Sequence, residues 1–298
     1  MITIESLSKK YSGRTVVDNV TFTARSGRVT GFLGPNGAGK STSMRIMVGL
    51  TRPDTGHVTI GGRAFADLPN PGREVGVMLD ASAQHAGRTG REILTLAQRT
   101  MGLPAVRVPE MVHRVGLTEA EAERRVGTYS RGMRQRLGVA VALIGAPAVL
   151  ILDEPANGLD PAGIRWMRDL LRGFADEGGT VLLSSHLLRE VEVIADDIVM
   201  IGHGRIVSEG PKTELLKGAG TIVRARDIET LEQALCDSGL VTTRTSDGAL
   251  HTDADPTVVG LVARESGLAL SELRTADGGL EEMFLALTAD TQREGEAA

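Results

Sequence analysis

Gly34-Pro35-Asn36-Gly37-Ala38-Gly39-Lys40-Ser41 reads G-x-x-x-x-G-K-S in full. Glycines at this spacing let backbone N–H groups close around phosphate oxygens. The lysine then reaches the outer phosphates, and the hydroxyl beside it is placed to ligate a divalent cation. Thr42 follows as the next hydroxyl of the loop. A second group lies far along the chain. Val149-Leu150-Ile151-Leu152 is apolar and ends in Asp153-Glu154. A carboxylate at a strand end can hold magnesium through water, and its neighbour can orient or deprotonate an attacking water. The plainer reading is two solvated loop acids, and the four apolar residues ahead of them weigh against it. A third group is Thr128-Tyr129-Ser130-Arg131-Gly132-Met133-Arg134-Gln135-Arg136. It resembles a nucleophile elbow, but Thr128 stands where the first glycine is required, so a hydrolase triad is rejected. Ser130 and Gly132 fall where a helix begins, and a hydroxyl with free N–H groups there makes a second anion site.

These groups need elements to hold them. A phosphate loop must leave a strand and open a helix. The run 29–33 predicts a buried strand, and Met44, Met47 and Val48 have helical spacing. Ile2, Ile4, Val16, Val20 and Phe22 alternate with polar residues, predicting antiparallel strands that turn at Ser12-Gly13-Arg14. Residues 58–60 before Gly61-Gly62 predict a hairpin, and 75–79 a strand. From 89 to 143 the pattern is mostly helical, with Ile93, Leu94, Leu96 and Ala97 on one face. Thr118-Glu119-Ala120-Glu121 has the form of a capping box. Strands are predicted at 149–152 and 181–183, and helices at 164–174 and 187–195. Strands alternating with helices imply an α/β core with a largely parallel sheet. After Pro211 the order changes to strand 221–225, helix 231–235, strands 241–243 and 250–252, helix 258–264 and strand 268–273. That is a βαββαβ string, a ferredoxin-like split unit. The boundary is set near Leu216, giving a first domain 1–216 and an accessory domain 217–287. The polar tail 288–298 is expected to be disordered.

Composition narrows the class. A chain of 298 residues suits one large domain and one small one. With 41% hydrophobic and 24% charged residues it can bury a substantial core. Aromatic residues make up 3% and the net charge is −5, so neither a base-stacking platform nor a basic footprint is present. Nucleic acid is therefore not expected as a partner. The single cysteine, Cys236, excludes an internal disulfide and C-x-x-C sites. The start Met1-Ile2-Thr3-Ile4-Glu5 lacks the features of a signal peptide. The longest apolar stretch, 137–152, is too short to span a bilayer and is broken by Gly145 and Pro147. The expectation is a soluble cytoplasmic chain whose membrane work, if any, is done by another polypeptide.

The order of these motifs resembles the ATP-binding cassette family, the nucleotide-hydrolysing subunits of ABC transporters, over about residues 2–210. The resemblance implies that Tyr11 stacks on adenine. It makes Ser130-Arg131-Gly132-Met133 the signature motif, with Arg131 at the first glycine and Met133 at the usual glutamine. It makes Asn157-Gly158-Leu159-Asp160 the loop that crosses a dimer interface, and His186 the switch histidine at the γ-phosphate. The other histidines get only a structural reading. Where the family has a glutamine after strand 75–79, this chain has Asp80, and the nearest glutamine is Gln84. Asp80 is expected to join Ser41 and Asp153 around magnesium, with Gln84 as the alternative.

The fold implied is a P-loop nucleoside-triphosphatase cassette with an antiparallel β subdomain, a helical subdomain at about 81–127 and the small α+β domain behind. Further implications are ATP and Mg²⁺ as cofactors and a head-to-tail dimer with a second copy. Each ATP would lie between one copy's phosphate loop and Ser130-Gly132 of the other. A separate transmembrane permease would bind the transported compound and hold this chain, as a peripheral subunit, at the cytoplasmic face of the membrane. Within the family the chain is most similar to bacterial drug and antibiotic exporter subunits. Two other classes stay open. One is a soluble cassette ATPase not coupled to transport. The other is a P-loop kinase, which needs an acceptor site and lid and leaves the signature segment unexplained.

Overall fold

The computed structural model describes residues 1–185, 188–216, 220–245, 247–276 and 280. Alternating side chains make the first two segments strands. β1 (Ile2–Tyr11) and β2 (Arg14–Ala24) join through Ser12 and Gly13, whose φ values of 47° and 83° are those of a two-residue hairpin turn. β3 (Arg28–Leu33) leads to α1 (Lys40–Met47). β4 (Thr55–Ile60) then runs antiparallel to β1, giving a three-stranded sheet of order β2-β1-β4. The hairpin turn expected at Gly61-Gly62 forms, with Ile60 N–H donating to the Arg63 carbonyl at 2.7 Å, Arg63 N–H to the Ile60 carbonyl at 3.2 Å and both glycines at positive φ. β4 finds its partner far back in the chain, and beyond the glycines only an Ile60–Arg63 bridge remains.

α2 (Pro71–Glu74) and β5 (Val75–Met78) precede a helical stretch of α3 (Gly90–Thr100), α4 (Arg107–Arg114), α5 (Glu119–Ala122) and α6 (Arg131–Leu143). Thr89 with Glu92 and Thr118 with Glu121 form reciprocal capping boxes that start α3 and α5. The apolar face expected on α3 is narrower than its pattern: Leu94 is fully buried, while Leu96 is 53% exposed. Among the described residues no helix is long and apolar enough to cross a membrane.

β6 (Val149–Leu152), α7 (Pro161–Asp176), β7 (Thr180–Ser185), α8 (Leu188–Ile194), β8 (Asp197–Gly202), β9 (Arg205–Pro211) and α9 (Lys212–Leu215) follow. The large sheet has the order β5-β6-β7-β3-β8-β9, parallel except for β9. Its central strands are buried on both faces and are mostly apolar, as parallel strands are. Ile2, Ile4 and Leu7 of β1, Phe22 of β2, and Met44 and Met47 of α1 share one core with Phe32 and Ile151 of this sheet. Each such side chain, fully buried, contributes about 1.5–3 kcal/mol. The topology sets β3, β6 and β7 side by side, so the segments leaving their carboxyl ends meet. Ligand crevices of open α/β sheets form at such places.

The chain divides between Lys212 and Thr213. The second unit holds β10 (Thr221–Ala225), α10 (Ile228–Asp237), β11 (Thr242–Arg244), β12 (Leu250–Thr252), α11 (Pro256–Glu265) and β13 (Leu270–Thr275). Its sheet is antiparallel with the order β11-β12-β10-β13, the ferredoxin-like arrangement. Val223, Leu231, Leu235, Leu250 and Val259 form its core. Asp227 and Asp255 cap its two helices. The tail 288–298 and His186 lie outside the described residues.

Candidate active site

The loop between β3 and α1 is shaped by what cannot be added to it. A Cβ on Gly34 would lie 2.4 Å from the Ile201 carbonyl oxygen of β8. Gly39 has φ 109°, and a Cβ there would lie 2.7 Å from the Val16 carbonyl oxygen of β2. Only glycine fits either position. The loop is closed by Ala38 N–H donating to the Pro35 carbonyl at 3.2 Å and Gly204 N–H donating to the Ala38 carbonyl at 3.1 Å. Lys40 is 6% exposed, and its Nζ donates to the carbonyls of Gly34 at 2.6 Å and Pro35 at 3.2 Å. Burial pushes its ammonium below the ordinary lysine range, while Glu154 and Asp153 pull it back up. The lysine is thus a buried cation whose partners are two carbonyls of its own loop, a place that an anion improves.

Lys40, Ser41 and Thr42 share one cleft with Asn36, Asp153 and Glu154. The two acids arrive there because β6 ends between β5 and β7: Asp153 N–H donates to the Met78 carbonyl at 2.7 Å. Ser184 of β7 donates its hydroxyl to Asp153 Oδ1 and accepts the Glu154 N–H at 3.1 Å. Glu154 has φ 51°, the left-handed region that non-glycine residues seldom enter. Its carbonyl accepts from Gln135 Nε2 of α6 at 2.7 Å and from Asn157 N–H at 3.1 Å. Neither Ser184 nor Gln135 was singled out from the sequence. The available signal was a polar residue where each element is otherwise buried: Ser184 is fully buried and Gln135 is 5% exposed.

A second depression shares Asp153 and Glu154 and is also lined by Asp80, Ser82, Arg131 and Arg134. Asp80 accepts from the Ser82 N–H at 2.7 Å and the Ser82 hydroxyl at 2.6 Å. These bonds hold its carboxyl below the usual range. Gln84 is half-buried, and its Oε1 finds no partner among the described residues. Asp80 is therefore the residue that stands beside Asp153 and Glu154, although it does not line the phosphate-loop cleft.

Ser130 caps α6, its Oγ accepting the Met133 N–H at 3.2 Å. Gly132 lies against the loop 157–160: a Cβ there would stand 3.6 Å from Leu159 Cδ2. Arg131 crosses Gly158 so closely that a Cβ at Gly158 would stand 2.2 Å from Arg131 Cδ. Asp160 caps α7, accepting the Gly163 N–H at 2.7 Å. Tyr11, at the end of β1, is 46% exposed. Lys9 Nζ sits 5.4 Å from the ring centroid and is fixed by Asp54 at 2.9 Å. Tyr11, Ser130, Gly132 and Asp160 stand outside the phosphate-loop cleft of a single chain.

The cleft offers a buried ammonium, a loop of backbone donors, two oxygen donors at Ser41 and Asp153, and a carboxylate one residue on. Among the described residues no cluster of three or more His, Cys, Asp or Glu could cage a metal. A cation here would take its remaining oxygens from water and phosphate, as Mg²⁺ does.

Comparison with known proteins gives one family, three relatives and two solved structures. The family described as ABC transporter matches residues 17–157. An uncharacterized ABC transporter ATP-binding protein of Bacillus subtilis is 34% identical over 99% of this chain and 98% of its own length. The daunorubicin/doxorubicin resistance ATP-binding protein of Streptomyces peucetius is 36% identical over 100% of this chain and 96% of its own. The bacitracin transport ATP-binding protein of Bacillus licheniformis is 38% identical over 73% of this chain and 72% of its own. Among solved structures, an ATP binding subunit of an ABC transporter superposes with a TM-score of 0.66 at 29% identity, over 72% of this chain and 91% of that one. A dimeric ATP-binding cassette in a post-hydrolysis state, bound to ADP and Pi, gives a TM-score of 0.66 at 22% identity, over 71% of this chain and 99% of that one. At that identity the second likeness is one of fold.

Proposed function

The chain belongs to the ATP-binding subunits of ABC transporters, ATPases coupled to transport, and from that premise we propose how its residues divide the work. ATP enters the 34–41 loop, whose N–H groups and Lys40 hold the phosphates. Ser41 and Asp153 would hold Mg²⁺, with Asp80 as a further oxygen donor, and the cation would offset the charge of the phosphates. Glu154 takes the proton of the attacking water. The observation that carries this reading is the meeting of a buried Lys40 with Ser41, Asp153 and Glu154 in one cleft.

Two copies pair head to tail, so that Ser130 and Gly132 of one face the ATP of the other. The Ser130 oxygen accepts from Met133, and its hydroxyl hydrogen stays available for a phosphate oxygen. Asp160 holds the loop 157–160 in shape at that interface, and His186 meets the γ-phosphate. The exposed ring of Tyr11 receives adenine. Residues 81–127 meet a separate permease, which keeps the chain at the cytoplasmic face of the membrane. The relatives named for daunorubicin/doxorubicin resistance and bacitracin transport support export of a drug or antibiotic. The second unit stabilises the dimer or regulates it. Its folded core carries no grouping of catalytic residue types among the described residues.

Glu154→Gln tests the central assignment. It keeps the shape and the hydrogen bonds of the backbone but cannot take a proton. Binding of Mg-ATP is expected to match the parent, while phosphate release without any added acceptor falls by about 10²- to 10⁴-fold. Turnover at the parent rate would show that Glu154 is not the base.

A further inference from the structure

Glu154 is held at both ends of its backbone unit. Its left-handed φ of 51° persists because its N–H is bound by Ser184 and its carbonyl by Gln135 and Asn157. Strained backbone of this kind stands only where surroundings over-determine it. The Gln135 contact has no ambiguity of orientation. A carbonyl oxygen only accepts, so the amide nitrogen must face it.

Gln135 also belongs to α6, a helix of 13 residues whose N-cap is Ser130. Five residues at 1.5 Å each put Gln135 roughly 7–8 Å along the rod from Ser130. The helix that offers Ser130 and Gly132 at its head therefore holds the Glu154 carbonyl from its second turn. A second contact reinforces the first: Arg131 lies across Gly158, on the same segment that leaves Glu154. Asn157 of that segment and Gln135 both line the depression that Asp153 and Glu154 share.

We propose that Gln135 is a positioning residue that ties an anion bound at the head of α6 to the placement of the Glu154 carboxylate. The inference rests on the reading of Glu154 as base and of Ser130-Gly132 as the seat of the partner copy's ATP. Phosphate oxygens settling on the first turn restrain α6. Gln135 passes that restraint to the Glu154 backbone, and the carboxylate stays aimed at the cleft. In a head-to-tail pair the ATP on one copy's phosphate loop touches the partner's α6, and that α6 holds the partner's own Glu154. Filling one site thus prepares the base of the other, a coupling between two sites through a shared rigid element.

The test uses the full chain and two substitutions. Gln135→Met has similar length and no N–H, and Gln135→His returns a neutral N–H at the same reach. The parent is expected to hydrolyse ATP with a Hill coefficient above one. Gln135→Met should lower kcat by about tenfold, bring the Hill coefficient to about one, and leave the dissociation constant for Mg-ATP unchanged. Gln135→His should recover most of both losses. A non-cooperative parent, a Gln135→Met variant with parental kcat and Hill coefficient, or one that loses ATP binding in proportion would each overturn the proposal. The Glu154→Gln arm separates the two readings. An active Glu154→Gln removes the base assignment itself. An inactive Glu154→Gln beside a normal Gln135→Met removes only the coupling.

Discussion

The two units of this chain bury apolar side chains in the same way and treat polar ones differently. In the first unit Lys40, Gln135 and Ser184 are all buried, Glu154 stands in the left-handed region, and the Lys40 ammonium donates to carbonyls of its own loop. In the second unit the buried polar residues among those described are Thr221 and Thr252. Thr221 is satisfied locally, its hydroxyl donating to the Ala254 carbonyl at 2.5 Å. The charges of that unit meet at its surface, as in Arg244 with Glu232 and Arg274 with Glu272. Surface pairs of this kind are weak. The contrast teaches where to look for chemistry. Burial of polar groups and strain cost stability, and they persist where a reaction needs groups held in place without water to hold them. A fold free of such violations reads as a scaffold or a contact surface. The contrast is not absolute: buried Asp197 of the first unit is met by Arg28 at 2.6 Å and ties β8 to β3, so burial alone does not mark a site.

Three experiments put weight on that division. The largest effect is expected at Asp80. Asp80→Ala should cut ATPase activity about tenfold and raise the magnesium needed for half-maximal rate, with Gln84→Ala within about twofold of the parent. The reverse ranking in a magnesium titration would hand the role to Gln84, whose buried carbonyl oxygen would then have a purpose. A smaller effect is expected at Lys9, which backs the Tyr11 ring from one face. Lys9→Met should weaken ATP binding by about two- to fivefold and leave inorganic tripolyphosphate binding unchanged, since only the base meets the ring. Equal losses for both ligands in calorimetric titrations would mean that Lys9 serves the loop and not the base. The smallest effect is expected from removing the second unit. A chain ending at Leu216 should bind Mg-ATP within about twofold of the full chain, because every proposed nucleotide contact lies in the first unit. A folded truncation that no longer binds would erase the division drawn above.

Much of the site was legible because its chemistry is local in sequence. The 34–41 loop and the Asp153-Glu154 pair each fall within a few residues, and the strands that lead into them, β3 and β6, are short and mostly apolar. The second unit was legible for a similar reason: strands 221–225 and 250–252 stand where their period-two pattern places them. What was not legible is what folding brings from afar. Ser184 reaches Asp153 and the Glu154 N–H only because β7 lies beside β6, and Gln135 reaches the Glu154 carbonyl only because α6 crosses that strand end. The pairing of β4 was hidden for the same reason, since it takes β1 as its partner across about fifty residues of chain. Leu96 failed differently. Its spacing fits the apolar face of α3, but one helix has more apolar positions than the neighbouring helices cover.

Trp166 is the only tryptophan of the chain. The Arg136 guanidinium of α6 stands 4.3 Å from its ring centroid, and the same side chain donates to the Val115 carbonyl at 2.6 Å. The protein therefore carries its own optical probe. Ultraviolet emission arises from a single indole on α7, and a charge carried by α6 lies directly over it. Sliding or tilting of α6 against α7 changes the field at that ring and shifts its colour or brightness. No dye and no added cysteine are needed. Rapid mixing with nucleotide would convert a movement of α6 against α7 into a time course of light.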